Sequence, residues 1–130
     1  MIRNIPQGTK REDIKARQEI IIQFYKSWKI ANPKQCIYNT NIHDYIYINK
    51  LSIKETADKA SLSYATTKKV FELTEVLMKA VLVKTVNTKK NNTSQKDFTK
   101  ILIMKHKSIK LTVGVFESGK KIQYCITDYS

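Results

Sequence analysis

The residues best suited to chemistry lie in two strand-like segments, 109–116 and 121–127. Apolar and polar side chains alternate in both segments about Ser118-Gly119, which predicts a β-hairpin. One face of this hairpin is expected to carry three cross-strand pairs: Lys110–Thr127, Thr112–Cys125 and Gly114–Gln123. Ammonium, hydroxyl and amide groups on one surface can hold a phosphodiester, because the cation neutralises a phosphate oxygen and the other groups donate to it. The alternative is an ordinary solvated strand face.

The opposite face of the hairpin is apolar, so we expect it to be the core face. Its members are Ile109, Leu111, Val113, Val115, Ile122, Tyr124 and Ile126.

The charge of the chain also favours an anionic partner. There are 24 Lys and Arg against 11 Asp and Glu, a formal net charge of +13. Residues 84–130 hold ten of the basic residues and three of the acids, so positive charge is denser there than in the rest of the chain. Because such a surplus repels itself in the folded state, it commonly accompanies a nucleic acid. The competing interpretation is a lysine-rich surface that reflects the codon bias of an AT-rich genome.

A second candidate for nucleic-acid contact is the helical stretch 52–70, which resembles a helix-turn-helix DNA reader. Ser63 would cap a recognition helix and direct Tyr64, Thr66 and Lys68 into a major groove. Two positions depart from that pattern. Ser61 stands where the turn usually has glycine, and Thr67 stands where an apolar residue is expected.

The remaining pattern predicts the elements that must position these groups. Capping boxes at Thr9–Glu12 and Ser52–Glu55 predict helix starts, and Asn32-Pro33 predicts the end of the first helix. The other expected elements are strands near 36–38, 45–48 and 80–86, a long helix over 64–80, a polar loop over 87–96 and a short helix from about Gln95.

These elements predict one α+β domain over residues 1–130, with helices packed on a small antiparallel sheet that ends in the C-terminal hairpin. Residues 9–80 form the mainly helical half, and 81–130 form the basic loop and hairpin part.

The sequence also narrows the class of protein. Cys36 and Cys125 are isolated and lack metal-ligand spacing, so two free thiols and no bound metal or cofactor are expected. No apolar run approaches the roughly 20 residues of a membrane span, and the N-terminus has no secretory pattern. A cytoplasmic protein that does not contact a membrane is expected.

Five segments in order along the chain resemble a family of small proteins of phages and conjugative elements of gut bacteria. That family in turn resembles the phage group of barnase–EndoU–RelE-like nuclease domains. The segments are Ile5–Arg17, Asn91–Phe98, Ile101–Met104, Lys110–Gly114 and Gln123–Thr127.

The resemblance implies an α+β ribonuclease-like fold that cleaves RNA without metal, in the cytoplasm of a bacterial host. A general base would take the 2′-hydroxyl proton, and a cation would stabilise the phosphate. His106 would be the acid or base, Lys110 the phosphate cation and Thr127 a donor. The expected nucleic-acid contacts are Lys89, Lys90, Asn92, Gln95, Lys107, Thr112 and Gln123.

Three hypotheses about function remain at this point. The first is an RNA-binding or RNA-cleaving domain, with an immunity protein as a possible further partner. The second is a helix-turn-helix DNA-binding accessory protein. The third is a phage protein that binds and inhibits a host protein, because a basic face can also dock on an acidic protein surface.

Overall fold

A helix and a β-hairpin, three further helices and then four strands follow one another in a computed structural model that describes residues 4–88 and 98–129. The elements are α1 (Arg11–Ala31), β1 (Cys36–Asn39), β2 (Asp44–Tyr47), α2 (Lys50–Ala60), α3 (Tyr64–Val70), α4 (Leu73–Lys79), β3 (Val81–Asn87), β4 (Phe98–His106), β5 (Ile109–Phe116) and β6 (Lys121–Asp128). The predicted α+β class is confirmed.

The six strands form one sheet in the order β1-β2-β6-β5-β4-β3. All neighbouring pairs are antiparallel except β2–β6, which is parallel through Ile46↔Lys121 and Tyr47↔Ile122. The sheet is therefore mixed rather than purely antiparallel as predicted. Sequence periodicity does not show this pair, because its two strands are far apart along the chain.

The sheet curls so that its two ends approach each other beside α4. The Asn39 side-chain amide, at the end of β1, donates to the carbonyls of Leu77 at 2.8 Å and Ala80 at 3.0 Å. The amide of Leu82 in β3 donates to Asn41 Oδ1 at 2.8 Å. These bonds join the β1–β2 turn to the start of the strand at the opposite end of the sheet order.

The main hydrophobic core lies between the helices and one face of the sheet. It includes Ile21, Tyr25 and Trp28 of α1, Leu73, Val76 and Leu77 of α4, and Leu102, Met104, Leu111 and Ile126 of the sheet. A second, smaller cluster lies on the other face and contains Phe98, Ile101, Tyr124 and Cys125. The strands β4–β6 are therefore apolar on both faces.

Strand β4 replaces the short helix predicted from about Gln95. Ile101 and Ile103 pack with the smaller cluster, whereas Leu102 and Met104 pack in the main core. A strand buried on both faces has a continuous apolar run, and such a run cannot be told from a buried helix by periodicity alone.

The helix boundaries also differ from the predicted ones. The Asp13 carboxylate accepts the Lys10 amide at 3.3 Å, so α1 begins one residue later than the Thr9 box implies. Asn49, rather than Ser52, caps α2. Asn49 Oδ1 accepts from the Ser52 amide, and Ser52 Oγ accepts from the Asn49 amide. The long helix predicted over 64–80 is divided into α3 and α4 at residues 71–72.

The C-terminal hairpin forms as predicted, but its register changes within the strands. Lys110 pairs with Thr127 and Thr112 with Cys125, which confirms those two predictions. Beyond them the register shifts at Tyr124, so that Val113 pairs with Gln123 and Gly114 with Ile122. The predicted Gly114–Gln123 pair is therefore wrong, because the extra residue of a β-bulge exchanges the faces of the residues beyond it.

Candidate nucleic-acid interface

The face of the sheet that turns away from α1 and α4 carries two rows of residues across strands β3 to β6. Strand pairing gives the first row as Val81, Lys105, Lys110 and Thr127, and the second as Lys84, Ile103, Thr112 and Cys125. We call these two rows the open face. Lys110 borders two adjoining grooves on it, one toward Thr127 and Lys59, and the other toward Lys84 and Tyr129.

Lys105 and Lys110 lie directly opposite each other on neighbouring strands. Directly opposed residues of an antiparallel pair have Cβ atoms about 4.5–5.5 Å apart, and like charges in that position are destabilising. Among residues 4–88 and 98–129, Lys84, Lys105 and Lys110 form no ion pair. The open face therefore carries repelling positive charge with no acidic partner in the described part of the chain.

Some lysines outside the open face, by contrast, are paired with carboxylates. Lys121 pairs with Asp44 at 2.7 Å, Lys107 with Glu75 at 3.1 Å, and Lys69 with Asp128. Lys69 is also the main reason that the pKa of Asp128 is lowered.

Hydroxyl groups lie beside the unpaired lysines. Thr127 is the cross-strand neighbour of Lys110, and Thr112 lies on the same face two residues further along β5. Both side chains are partly exposed, and neither hydroxyl has a hydrogen-bond partner among the described residues. Val86 and Ile103 line both grooves between these polar groups. The open face thus offers cations, hydroxyl donors and an apolar floor.

The groove near Thr127 is bounded by Tyr124 and Lys59. The bulge turns Tyr124 away from the predicted core face and into the smaller cluster, where its ring lies 5.8 Å from that of Phe98. Lys59 Nζ lies 5.5 Å from the ring centroid of Tyr124 and 3.3 Å from a Glu55 carboxylate oxygen. Burial and the Glu55 carboxylate raise the pKa of Tyr124, so its hydroxyl stays protonated.

His106 does not join Lys110 and Thr127. It pairs across the sheet with Ile109, which lies in the main core, so its ring is on the helix side. There its Nε2 lies 2.6 Å from Glu75 Oε2. His106 and then Lys107 lower the pKa of Glu75 to about 2. His106, the predicted acid or base, and Lys107 therefore lie on the opposite side of the sheet from Lys110, the predicted phosphate cation.

Gln123 is also absent from the open face, in contrast to the prediction. It is fully buried on the helix side. Its Oε1 accepts from the Tyr25 hydroxyl, and its Nε2 donates to Thr56 Oγ1 at 3.0 Å. The bulge at Tyr124 explains this position, because it reverses the alternation on which the prediction relied.

The four predicted loop contacts, Lys89, Lys90, Asn92 and Gln95, lie outside the described residues. Three residues that sequence reasoning missed, Lys59, Lys84 and Lys105, border the grooves or the lysine row. If residues 101–105 had been interpreted as a strand, their period-two alternation would have placed Lys105 on the same face as Ile101 and Ile103.

Thr66, one of the three residues that the helix-turn-helix interpretation assigned to base reading, is not accessible. Ser63 caps α3 as predicted and accepts the Thr66 amide at 3.0 Å. However, Thr66 is only 6% exposed, and its hydroxyl donates to Asp128 Oδ2 at 2.9 Å. Tyr64 and Lys68 remain accessible and lie together, with the ammonium 5.1 Å from the ring centroid.

Both cysteines are free, as predicted, and Cys125 is buried. Across residues 4–88 and 98–129, no three His, Cys, Asp or Glu side chains lie close enough to share a metal ion. None of the helices in the described ranges has the length and apolar character needed to cross a membrane.

Comparisons with known proteins do not assign the chain to a family. No protein-family model matches it, and neither a curated protein nor a solved structure matches it significantly.

Proposed function

We propose that this protein binds RNA through the open face of its sheet. The observation that carries the proposal is the row Lys105–Lys110–Thr127, in which two directly opposed lysines have no acidic partner among the described residues. Like charges so placed cost folding free energy, and a bound polyanion would offset that cost.

The chemistry of the face fits a sugar–phosphate backbone. Ammonium groups of Lys84, Lys105 and Lys110 can neutralise phosphate oxygens. The Thr112 and Thr127 hydroxyls can both donate and accept, so they can pair with a ribose 2′-hydroxyl, which distinguishes RNA from DNA.

Binding is better supported than cleavage. Metal-independent cleavage needs a general base and a general acid within reach of the phosphate. His106 lies on the other side of the sheet. Among the described residues that line the two grooves, the only carboxylate is that of Asp128, which already accepts from Thr66 and Lys69. Ribonuclease activity stays a prediction from the sequence resemblance.

The test compares affinity and stability in the same variants. Fluorescence anisotropy with a labelled RNA oligonucleotide gives Kd over a series of salt concentrations, for the wild type and for Lys110→Ala and Lys105→Ala. Each substitution should weaken binding and reduce the slope of log K against log [salt] by about 0.7, the value for one phosphate contact on a single strand. Lys110→Ala should not lower the free energy of unfolding, because it removes a repulsion.

Lys26→Ala is the matched control, because Lys26 is an exposed lysine of α1 on the helix side. It makes the same change in net charge and should leave Kd nearly unchanged. Equal losses in Lys26→Ala and Lys110→Ala would show that affinity follows net charge alone and would overturn the proposal. A DNA oligonucleotide of the same sequence that binds more tightly would reject RNA as the ligand. Incubation with EDTA, followed by gel analysis, reports whether bound RNA is also cut.

A further inference from the structure

Tyr129 extends the open face by one residue beyond the end of β6. Its amide donates to the Ser108 carbonyl at 2.9 Å, which continues the β5–β6 pairing past Asp128. Thr127 lies on the open face, and the Asp128 side chain contacts Thr66 and Lys69 of α3. Strand alternation therefore places the Tyr129 ring on the open face again.

The ring of Tyr129 lies within the lysine cluster. Lys105 Nζ is 4.9 Å from the ring centroid, and Tyr129 lines the same groove as Lys84 and Lys110. The side chain is partly exposed, and its hydroxyl has no hydrogen-bond partner among the described residues. An accessible aromatic ring thus lies among three groups that can hold successive phosphates.

We propose that Tyr129 stacks on an unpaired base, so that the ligand of the open face is single-stranded RNA. This inference rests on the proposed function of the open face. A paired base already stacks on its neighbours, so only an unpaired or splayed base can offer its face to the ring. The nearby lysines would hold the phosphates on either side of the stacked nucleotide, an arrangement typical of single-strand binding surfaces.

The structure offers a matched control in Tyr64. Its ring is also partly exposed and lies next to a lysine, Lys68, but it belongs to α3 rather than to the open face. Substitution of Tyr64 therefore tests whether any accessible tyrosine beside a lysine affects RNA affinity.

The experiment uses an eight-nucleotide RNA with 2-aminopurine at one position and the matching RNA duplex. Tyr129→Leu should weaken binding of the single strand by about 5- to 140-fold, the range for one base–aromatic stack. Tyr129→Phe keeps the ring and should bind like the wild type, and Tyr64→Leu should also bind like the wild type. The fluorescence of 2-aminopurine should be quenched by the wild type and Tyr129→Phe, but not by Tyr129→Leu. Thermal denaturation establishes that each variant is folded.

The outcomes separate this inference from the function on which it rests. If Lys110→Ala weakens binding and Tyr129→Leu does not, stacking is overturned while RNA binding by the open face stands. If duplex and single strand bind equally well and 2-aminopurine is not quenched, the single-strand assignment is likewise overturned. If the wild type binds neither RNA, the proposed function itself fails.

Discussion

Gln123 offers the sharpest test of the bulge that defines the open face. Its side chain forms two buried hydrogen bonds, one with Tyr25 and one with Thr56. The Tyr25 hydroxyl donates to Gln123 Oε1, and Gln123 Nε2 donates to Thr56 Oγ1 at 3.0 Å. All three residues are fully buried. Burial raises the pKa of Tyr25 far above its usual value, so the phenol remains a donor.

Gln123→Leu keeps a similar side-chain volume but removes the acceptor of Tyr25. A buried donor without a partner costs about 1–3 kcal/mol, and the lost bond to Thr56 adds to this. We therefore expect the free energy of unfolding to fall by about 2–4 kcal/mol.

Tyr25→Phe combined with Gln123→Leu should cost less than the sum of the two single substitutions, because both partners then become apolar. Thr56 can turn its hydroxyl to the carbonyl of Ser52, four residues earlier in α2. The expected coupling energy is about 1–2 kcal/mol.

Urea denaturation measures these free energies through the fluorescence of Trp28, the single tryptophan, which is buried in the main core. RNA affinity of the folded Gln123→Leu protein should match that of the wild type, because the side chain faces the helices. Unchanged stability together with a tenfold loss of RNA affinity would refute the reasoning. That result would place Gln123 on the open face, where the simple hairpin register predicts it.

Three further predictions concern a thiol, a carboxylate and a glycine. Burial raises the pKa of the Cys125 thiol to about 11, so at neutral pH a disulfide reagent should modify it only after unfolding, as mass spectrometry would show. The Glu75 pKa of about 2 means that its contribution to stability is fully present above its ordinary pKa of 4.5 and is lost as the pH falls toward 2. His106→Ala should raise that pKa toward 4.5 in an NMR titration, and an unchanged value would disprove the contact. A Cβ at Gly114 would lie 2.4 Å from ring carbons of Phe98, so Gly114→Ala should destabilise the fold by about 1–3 kcal/mol in urea denaturation, and Phe98→Leu should relieve part of that loss.

The local sequence pattern was sufficient to predict the fold class and part of the candidate interface. The hairpin of β5 and β6 was predictable because alternation has a period of two residues and the turn at Ser118-Gly119 lies between the strands. The same rule correctly paired Lys110 with Thr127 and Thr112 with Cys125. These are contacts between neighbouring strands, so a short stretch of sequence contains all the information they need.

The remaining features depend on contacts between distant segments. The Phe98–His106 strand is buried on both faces. Its apolar run therefore does not show which of its residues face the helices and which face the other side of the sheet. The bulge at Tyr124 leaves no mark in the alternation, yet it turns Gln123 toward Tyr25 of α1 and away from the open face.

His106 and Lys105 show the same limit most clearly. As neighbours in a strand they lie on opposite faces, so Lys105 joins Lys110 while His106 contacts Glu75 of α4. The sequence predicted the basic, hydroxyl-bearing hairpin as a candidate phosphate-binding surface. The packing of the helices on one side of the sheet decided which cations share the other side, because a folded sheet separates residues that are adjacent in the chain.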